Sequence, residues 1–246
     1  MEEASESLRK ASNISPGNSK VLVMLGMHYA KVGALTEAIT TLEAALKAAS
    51  GYIPLDAYLT LGHLHSTCGN HAMARVRYLD ACRSCPCCST WLGAGISSYE
   101  LGLLHDAEMC LSEANVLDNY RPAVWGYLAL VSLSAGRKEE SAEATRLAIQ
   151  NGIKDARILA QLGDMCKSSG QVGEALRLYK LATVHGAESS VYIKLGETLV
   201  SSRDFKRARD SLLNAIELTQ KEGNNEAKAR ASTLLAVCNE ELGISM

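Results

Sequence analysis

Four of the chain's eight cysteines fall within seven residues, in CRSCPCC at 82–88, and a second sulfur and imidazole cluster, HLHSTCGNHA, lies just upstream at 63–72. Thiolates and imidazoles are the usual zinc ligands, and short paired spacings are how structural zinc sites are written in a sequence. Cys82, Cys85, Cys87 and Cys88, joined by His63 or His71, are therefore the candidate metal set. A nucleophilic thiolate is the other chemistry open to these residues, but it needs a neighbouring base or the positive end of a helix. Cys82 and Cys85 fall instead where a helix should end, and there the dipole opposes a thiolate. His105, Asp106 and Glu108 resemble an acid–base group, yet their place at a helix start suits carboxylates meeting the positive helix end. No catalytic residue, cofactor or metal is assigned, and a zinc- or thiol-regulated domain is kept as the weaker alternative.

Which reading holds depends on the elements that carry these residues. The chain has 246 residues, 47% of them hydrophobic, enough to bury a sizeable core. Lys and Arg number 25 against 27 Asp and Glu, with no long run of one sign. This is not the basic stripe that nucleic-acid backbones require, so no nucleic-acid partner is expected. The start, MEEASESLRK, lacks the basic and apolar pattern of a secretory signal. The longest apolar segment, WGYLALVSLSAG from Trp125, is far short of the roughly 20 residues of a membrane span. The expectation is a soluble intracellular chain with no membrane partner, whose thiols are reduced and mostly buried as small hydrophobes.

Ala, Leu, Glu and Lys are abundant, and no stretch sustains an alternating pattern, so the chain reads as all-α. A period runs through it. Glycines recur at Gly33, Gly69, Gly102, Gly136 and Gly170, spaced by 36, 33, 34 and 34 residues. Upstream of each, a small residue follows apolar ones in LVMLG, YLTLG, WLGAG, WGYLA and LAQLG, and YIKLG follows at 192–196. Downstream come Ala38, Ala74, Ala107, Ser141 and Ala175, then Ala45, Ala81, Ala114, Ala148 and Ala182. Small residues at such sites let paired helices approach closely. The four prolines, Pro16, Pro54, Pro86 and Pro122, fall at the breaks this frame requires.

The unit is a helix pair of about 34 residues, and it resembles the tetratricopeptide repeat (TPR). One copy supplies Leu22, Leu25, Gly26, Tyr29, Gly33, Ala38, Leu42 and Ala45; another supplies Tyr58, Leu61, Gly62, Gly69, Ala74, Tyr78, Ala81 and Pro86. The resemblance implies a right-handed α-solenoid of about six helix pairs over 19–54, 55–87, 88–121, 122–155, 156–188 and 189–222. Residues 1–18, through Ala4, Leu8 and Ala11, read as the second helix of a truncated repeat, so the array is expected to begin within a longer one. After Ile216 a looser stretch, TQKEGNNEAKA, is expected to delay a capping helix over 225–243.

Such a fold offers surface rather than an active site. The first helices should line a concave groove through Met24, Met27, Leu59, His63, Leu92, Ile96, Tyr99, Tyr127 and Leu130, followed by Gln161, Asp164, Lys194 and Glu197. The first two-thirds is apolar and the remainder polar, suiting an amphipathic helix or extended peptide and no small-molecule substrate. The carboxylate clamp of co-chaperone TPR domains is missing: its positions hold Val23, Met27, Thr60, Ser89 and Gly93.

Residues 85–155 carry a closer likeness. Trp91, Leu92, Gly93, Gly95, Ile96, Tyr99, Ala107, Glu108, Leu111, Asn115, Asn119, Tyr120, Trp125, Tyr127 and Leu128, after the Cys85, Pro86, Cys87, Cys88 junction, resemble the C-terminal TPR region of cilia- and flagella-associated protein 70. That resemblance implies a non-catalytic scaffold of the cilium or flagellum axoneme with ciliary protein partners, supporting motility or assembly. A TPR adaptor of intraflagellar transport, ubiquitin-ligase or motor machinery is the alternative.

Overall fold

The computed structural model describes residues 2–49, 51 and 53–244, with side chains described from Glu6 onward, so the Ala4 side chain lies outside the described residues. Among the described residues there are fourteen α-helices and no strand. The chain divides after Val124 into two compact units. The first contains α1 (Glu2–Ile14), α2 (Ser19–Lys31), α3 (Leu35–Ala48), α4 (Leu55–Thr67), α5 (His71–Ser84), α6 (Cys88–Glu100) and α7 (Leu104–Leu117). The second takes α8 (Pro122–Ser134) from Trp125 onward. It continues with α9 (Lys138–Gln150), α10 (Ala156–Ser168), α11 (Val172–Val184), α12 (Ser189–Ser201), α13 (Phe205–Glu222) and α14 (Asn225–Glu241).

Local chemistry sets the ends of these helices. Asn18, Asn70, Asp155, Asp204 and Asn224 each accept a bond from a backbone N–H of the first turn, satisfying donors that a helix start leaves unpaired. Between the helices of each hairpin, Gly33, Gly69, Gly102, Gly136 and Gly170 adopt φ of 73–79°, a conformation that costs a residue bearing a Cβ about 1–2 kcal/mol. The α12–α13 hairpin makes the same turn without glycine, and Arg203 stands there at φ 59°.

Packing follows the small residues. An ideal Cβ on Gly26 would lie 2.6 Å from Leu42, and one on Gly95, Gly163 or Gly196 would lie 2.7 Å from Leu111, Tyr179 or Leu212. These four hairpins are thus each closed by a bulky second-helix side chain seated on a bare patch of the first helix, alongside fully buried alanines such as Ala38, Ala107, Ala175 and Ala208. Fully buried leucines like these contribute about 1.5–3 kcal/mol each. Ser141 replaces an alanine in α9, and its buried hydroxyl donates to the Ala129 carbonyl at 2.8 Å.

Only the looseness expected after Ile216 is corrected. TQKE after Ile216 is helical, because α13 runs through Glu222 before Gly223 turns the chain at φ 70°. The added turn has a partner: the Glu222 carboxylate accepts from the Ser189 backbone N–H at 3.1 Å and from the Ser189 hydroxyl, closing the start of α12.

Candidate protein-binding surface

The polar side chains of α10 and α12 come together in the second unit. The Tyr179 ring is fully buried against Gly163, and its hydroxyl donates to Asp164 Oδ1 at 2.7 Å. Lys194 Nζ, projecting from α12, donates to Asp164 Oδ2 at 2.6 Å. One helical turn farther, Glu197 pairs with Arg230 of α14. Burial, reinforced by the bond to Asp164 and its charge, pushes the Tyr179 phenol well above its ordinary range, so it stays a neutral donor.

Around these groups lies a cleft of about 380 Å³ that includes Asp164, Lys194, Glu197, Asn224 and Arg230. An adjoining hollow of about 300 Å³ shares Asp164 and Lys194 and adds Gln161 and Arg157. Asp164 and Lys194 are 40% and 39% exposed, so their ion pair is screened and contributes little to stability. An arriving carboxylate or ammonium can therefore exchange with it at small cost. Charges of both signs line an open concavity, which suits recognition of a polar peptide segment.

The expected residues divide by accessibility. Gln161, Asp164, Lys194 and Glu197 line the two adjoining hollows. In the first unit Met24 is 60% exposed, His63 is exposed, Met27, Leu59, Ile96 and Tyr99 are half-buried, and Leu92 is buried. Tyr127 and Leu130 of α8 are also buried. Sequence reasoning missed Arg230 and Asn224, which sit on or beside a helix outside the repeat register. Tyr179 it placed only as a packing residue.

The sulfur and imidazole groups are dispersed. Cys82 is buried near the end of α5, Cys85 is exposed as that helix's C-cap, Cys87 caps α6, and Cys88 begins it. The Thr90 hydroxyl accepts from the Cys87 N–H at 3.1 Å, so the junction is shaped by ordinary helix capping. Burial pushes the Cys82 and Cys88 thiols up and disfavours thiolate. Among the described residues, no three His, Cys, Asp or Glu side chains converge as a metal site. His65 is buried and lies 3.2 Å from Glu43 Oε1, while Glu43 accepts two bonds from Arg77, each at 2.8 Å. Asp106 accepts from Arg75 at 2.6 Å, tying α7 to α5.

Comparisons with known proteins fit this architecture. Cilia- and flagella-associated protein 70 of Homo sapiens and that of Macaca fascicularis are each 41% identical over 113 residues, 46% of this chain. The chain spans about a tenth of the length of these curated relatives, 10% and 11% respectively. A TPR protein from Parabacteroides merdae superposes with a TM-score of 0.69 at 18% identity, covering 96% of this chain and 91% of its own. The Cut9–Hcn1 hetero-tetramer of the APC/C superposes with 0.69 at 16% identity, covering 94% and 45%. YrrB, a TPR protein with an unusual peptide-binding site, gives 0.59 at 15% identity over 81% of this chain and all of its own. These likenesses show a TPR α-solenoid. The cilia and flagella-associated protein 70 C-terminal domain matches residues 1–234, well beyond the 85–155 segment that carries the resemblance in the sequence, and the chain belongs to that family.

Proposed function

We propose that this chain is a non-catalytic scaffold of the cilium or flagellum, holding protein partners of the axoneme in support of motility or assembly. The observation that carries the binding role is the open polar cleft formed by Asp164, Lys194, Glu197 and Arg230. Family membership supplies the ciliary setting. In this reading an extended or helical segment lies across α10, α12 and α14. It places a carboxylate near Lys194 and Arg230 and a cation near Asp164 and Glu197. Screened surface pairs there give register and specificity more than affinity. The exposed Met24 and His63, with Met27, Leu59, Ile96 and Tyr99, offer a more apolar contact in the first unit.

A fluorescent fusion of the full chain, expressed in a flagellated cell, tests the setting, with accumulation along the axoneme expected. A cytosolic signal excluded from the axoneme overturns the ciliary assignment. Lys194→Glu with Arg230→Glu tests the site: crosslinked axonemal partners should fall away while the chain stays folded by circular dichroism. An unchanged crosslinking pattern removes the cleft from the reading.

A further inference from the structure

Helix α12 serves two hollows on opposite sides. Ser190, Ile193, Lys194 and Glu197 face the cleft described above, whereas Tyr192, Leu195 and Leu199 line a crease between α11 and α13. At 100° per residue these sets lie about 180° apart around the helix. The crease encloses about 550 Å³, within the roughly 300–1,000 Å³ of sites that bury a ligand's apolar groups. Leu195 and Leu199 are buried at its floor, and the Tyr192 hydroxyl donates to the Thr183 carbonyl at 3.3 Å, which fixes its ring.

The rim is biased in charge. Arg177, Lys180 and Arg207 line the crease against a single carboxylate, Asp210. Arg177 lies 3.6 Å from Glu174 and Arg207 lies 3.4 Å from Asp204, both pairs formed between near neighbours in the chain by well-exposed guanidinium groups. Such pairs exchange easily with an incoming carboxylate. Lys180 is exposed and has no carboxylate partner among the described residues.

We propose that this crease is a second docking site, separate from the Asp164 and Lys194 cleft. Its occupant is a short amphipathic protein segment presenting one or two bulky apolar side chains flanked by carboxylates. The apolar floor takes the bulky groups, and the three cations meet the acidic flanks. A phosphate backbone would leave the floor unused and find no continuous basic track beyond three side chains. With sites on both sides of α12, the second unit joins two partners without their competing for surface.

The test uses the full 246-residue chain and a fluorescein-labelled decapeptide with leucine and tryptophan flanked by glutamates, read by fluorescence anisotropy. The matched peptide with lysine flanks is the control, and anionic phospholipid vesicles are run in parallel. The glutamate peptide should bind and the lysine peptide should not. Lys180→Glu with Arg207→Glu should weaken binding about tenfold, added salt should weaken it further, and Lys194→Glu in the other cleft should weaken it less than the double variant does. Lys180→Glu alone, with circular dichroism, guards against misfolding of the double variant and should give a smaller loss. Equal binding of both peptides, no binding to the parent chain, or unchanged affinity in the double variant overturns the proposal. So does equal loss in Lys194→Glu, or capture of vesicles in place of the peptide.

Discussion

Gly93→Ala should destabilise the first unit even though alanine is the better helix former. Tyr78 of α5 is wedged between α4 and α6, its ring facing Gly62 on one and Gly93 on the other. An ideal Cβ on Gly93 would lie 2.5 Å from Cδ1 and Cε1 and 2.6 Å from Cζ, whereas ordinary contact begins at 3.4 Å. The ring cannot retreat, because a Cβ-sized probe at Gly62 already finds it at 2.7 Å. Overpacking of this kind costs about 1–3 kcal/mol, and the rigid ring on a bare backbone places it near the top of that range. Helix propensity returns about 0.5–1 kcal/mol. The net loss should be about 2 kcal/mol, seen as a fall in Tm of about 4–8 °C by far-ultraviolet circular dichroism. In a Tyr78→Ala background the ring is gone, and Gly93→Ala should become neutral or mildly stabilising. The coupling in this double-mutant cycle should be about 2–3 kcal/mol. A neutral or stabilising Gly93→Ala in the parent chain, or an equal loss in both backgrounds, refutes the wedge.

Other perturbations test other parts of the chain. Arg203 holds φ 59°, so Arg203→Gly should raise stability by about 0.5–1 kcal/mol in urea melts, the relieved strain exceeding the entropy glycine adds to the unfolded chain. Arg77 and Glu43 are 18% and 17% exposed; Arg77→Leu leaves the Glu43 and Asp80 carboxylates without that cation and should cost about 2–3 kcal/mol. Adding Glu43→Leu should recover part of that loss. The bonds from Ser189 hold the Glu222 carboxyl below its ordinary value of 4.5. Because the folded pKa is the lower one, this stabilisation is present above about pH 4.5 and is lost as pH falls through the folded midpoint. Glu222→Gln should flatten that acid limb in a melt series, and carboxyl NMR should place the Glu222 midpoint below 4.5. Exposed Cys68 and Cys85 should alkylate first when iodoacetamide labelling is followed by mass spectrometry. Buried Cys110, with its thiol pushed up to about 11 chiefly by burial, should label among the last.

Half of the candidate surface is legible in the sequence. Asp164, Lys194 and Glu197 stand out because first-helix positions that are apolar in the earlier repeats turn polar there, and the helical period places them on one face. Arg230 could not be read, because α14 lies outside the repeat and no offset relates it to Glu197. Tyr179 was legible as a packing residue, but whether its hydroxyl reaches Asp164 depends on how closely α11 sits on Gly163. The basic crease escaped for a related reason: Arg177, Lys180 and Arg207 are ordinary surface residues along each second helix, and only stacking of two hairpins gathers them.

What the sequence determined by itself is the repeat: the helices, the glycine turns, the small residues at the hairpin contacts and the family likeness. These are local, since each hairpin buries its own apolar faces with residues less than about 34 positions apart. The tertiary structure decided how the polar remainder is shared out. CRSCPCC looks like a zinc motif as a string, yet helix geometry sends its four thiols to a buried wall, a cap and a junction, because backbone direction, and not spacing along the chain, sets where side chains converge. The left-handed Arg203 and the Glu222 clasp were decided there too, inside the α12–α13 hairpin, as were the two hollows beside α12, where helices distant along the chain pack together.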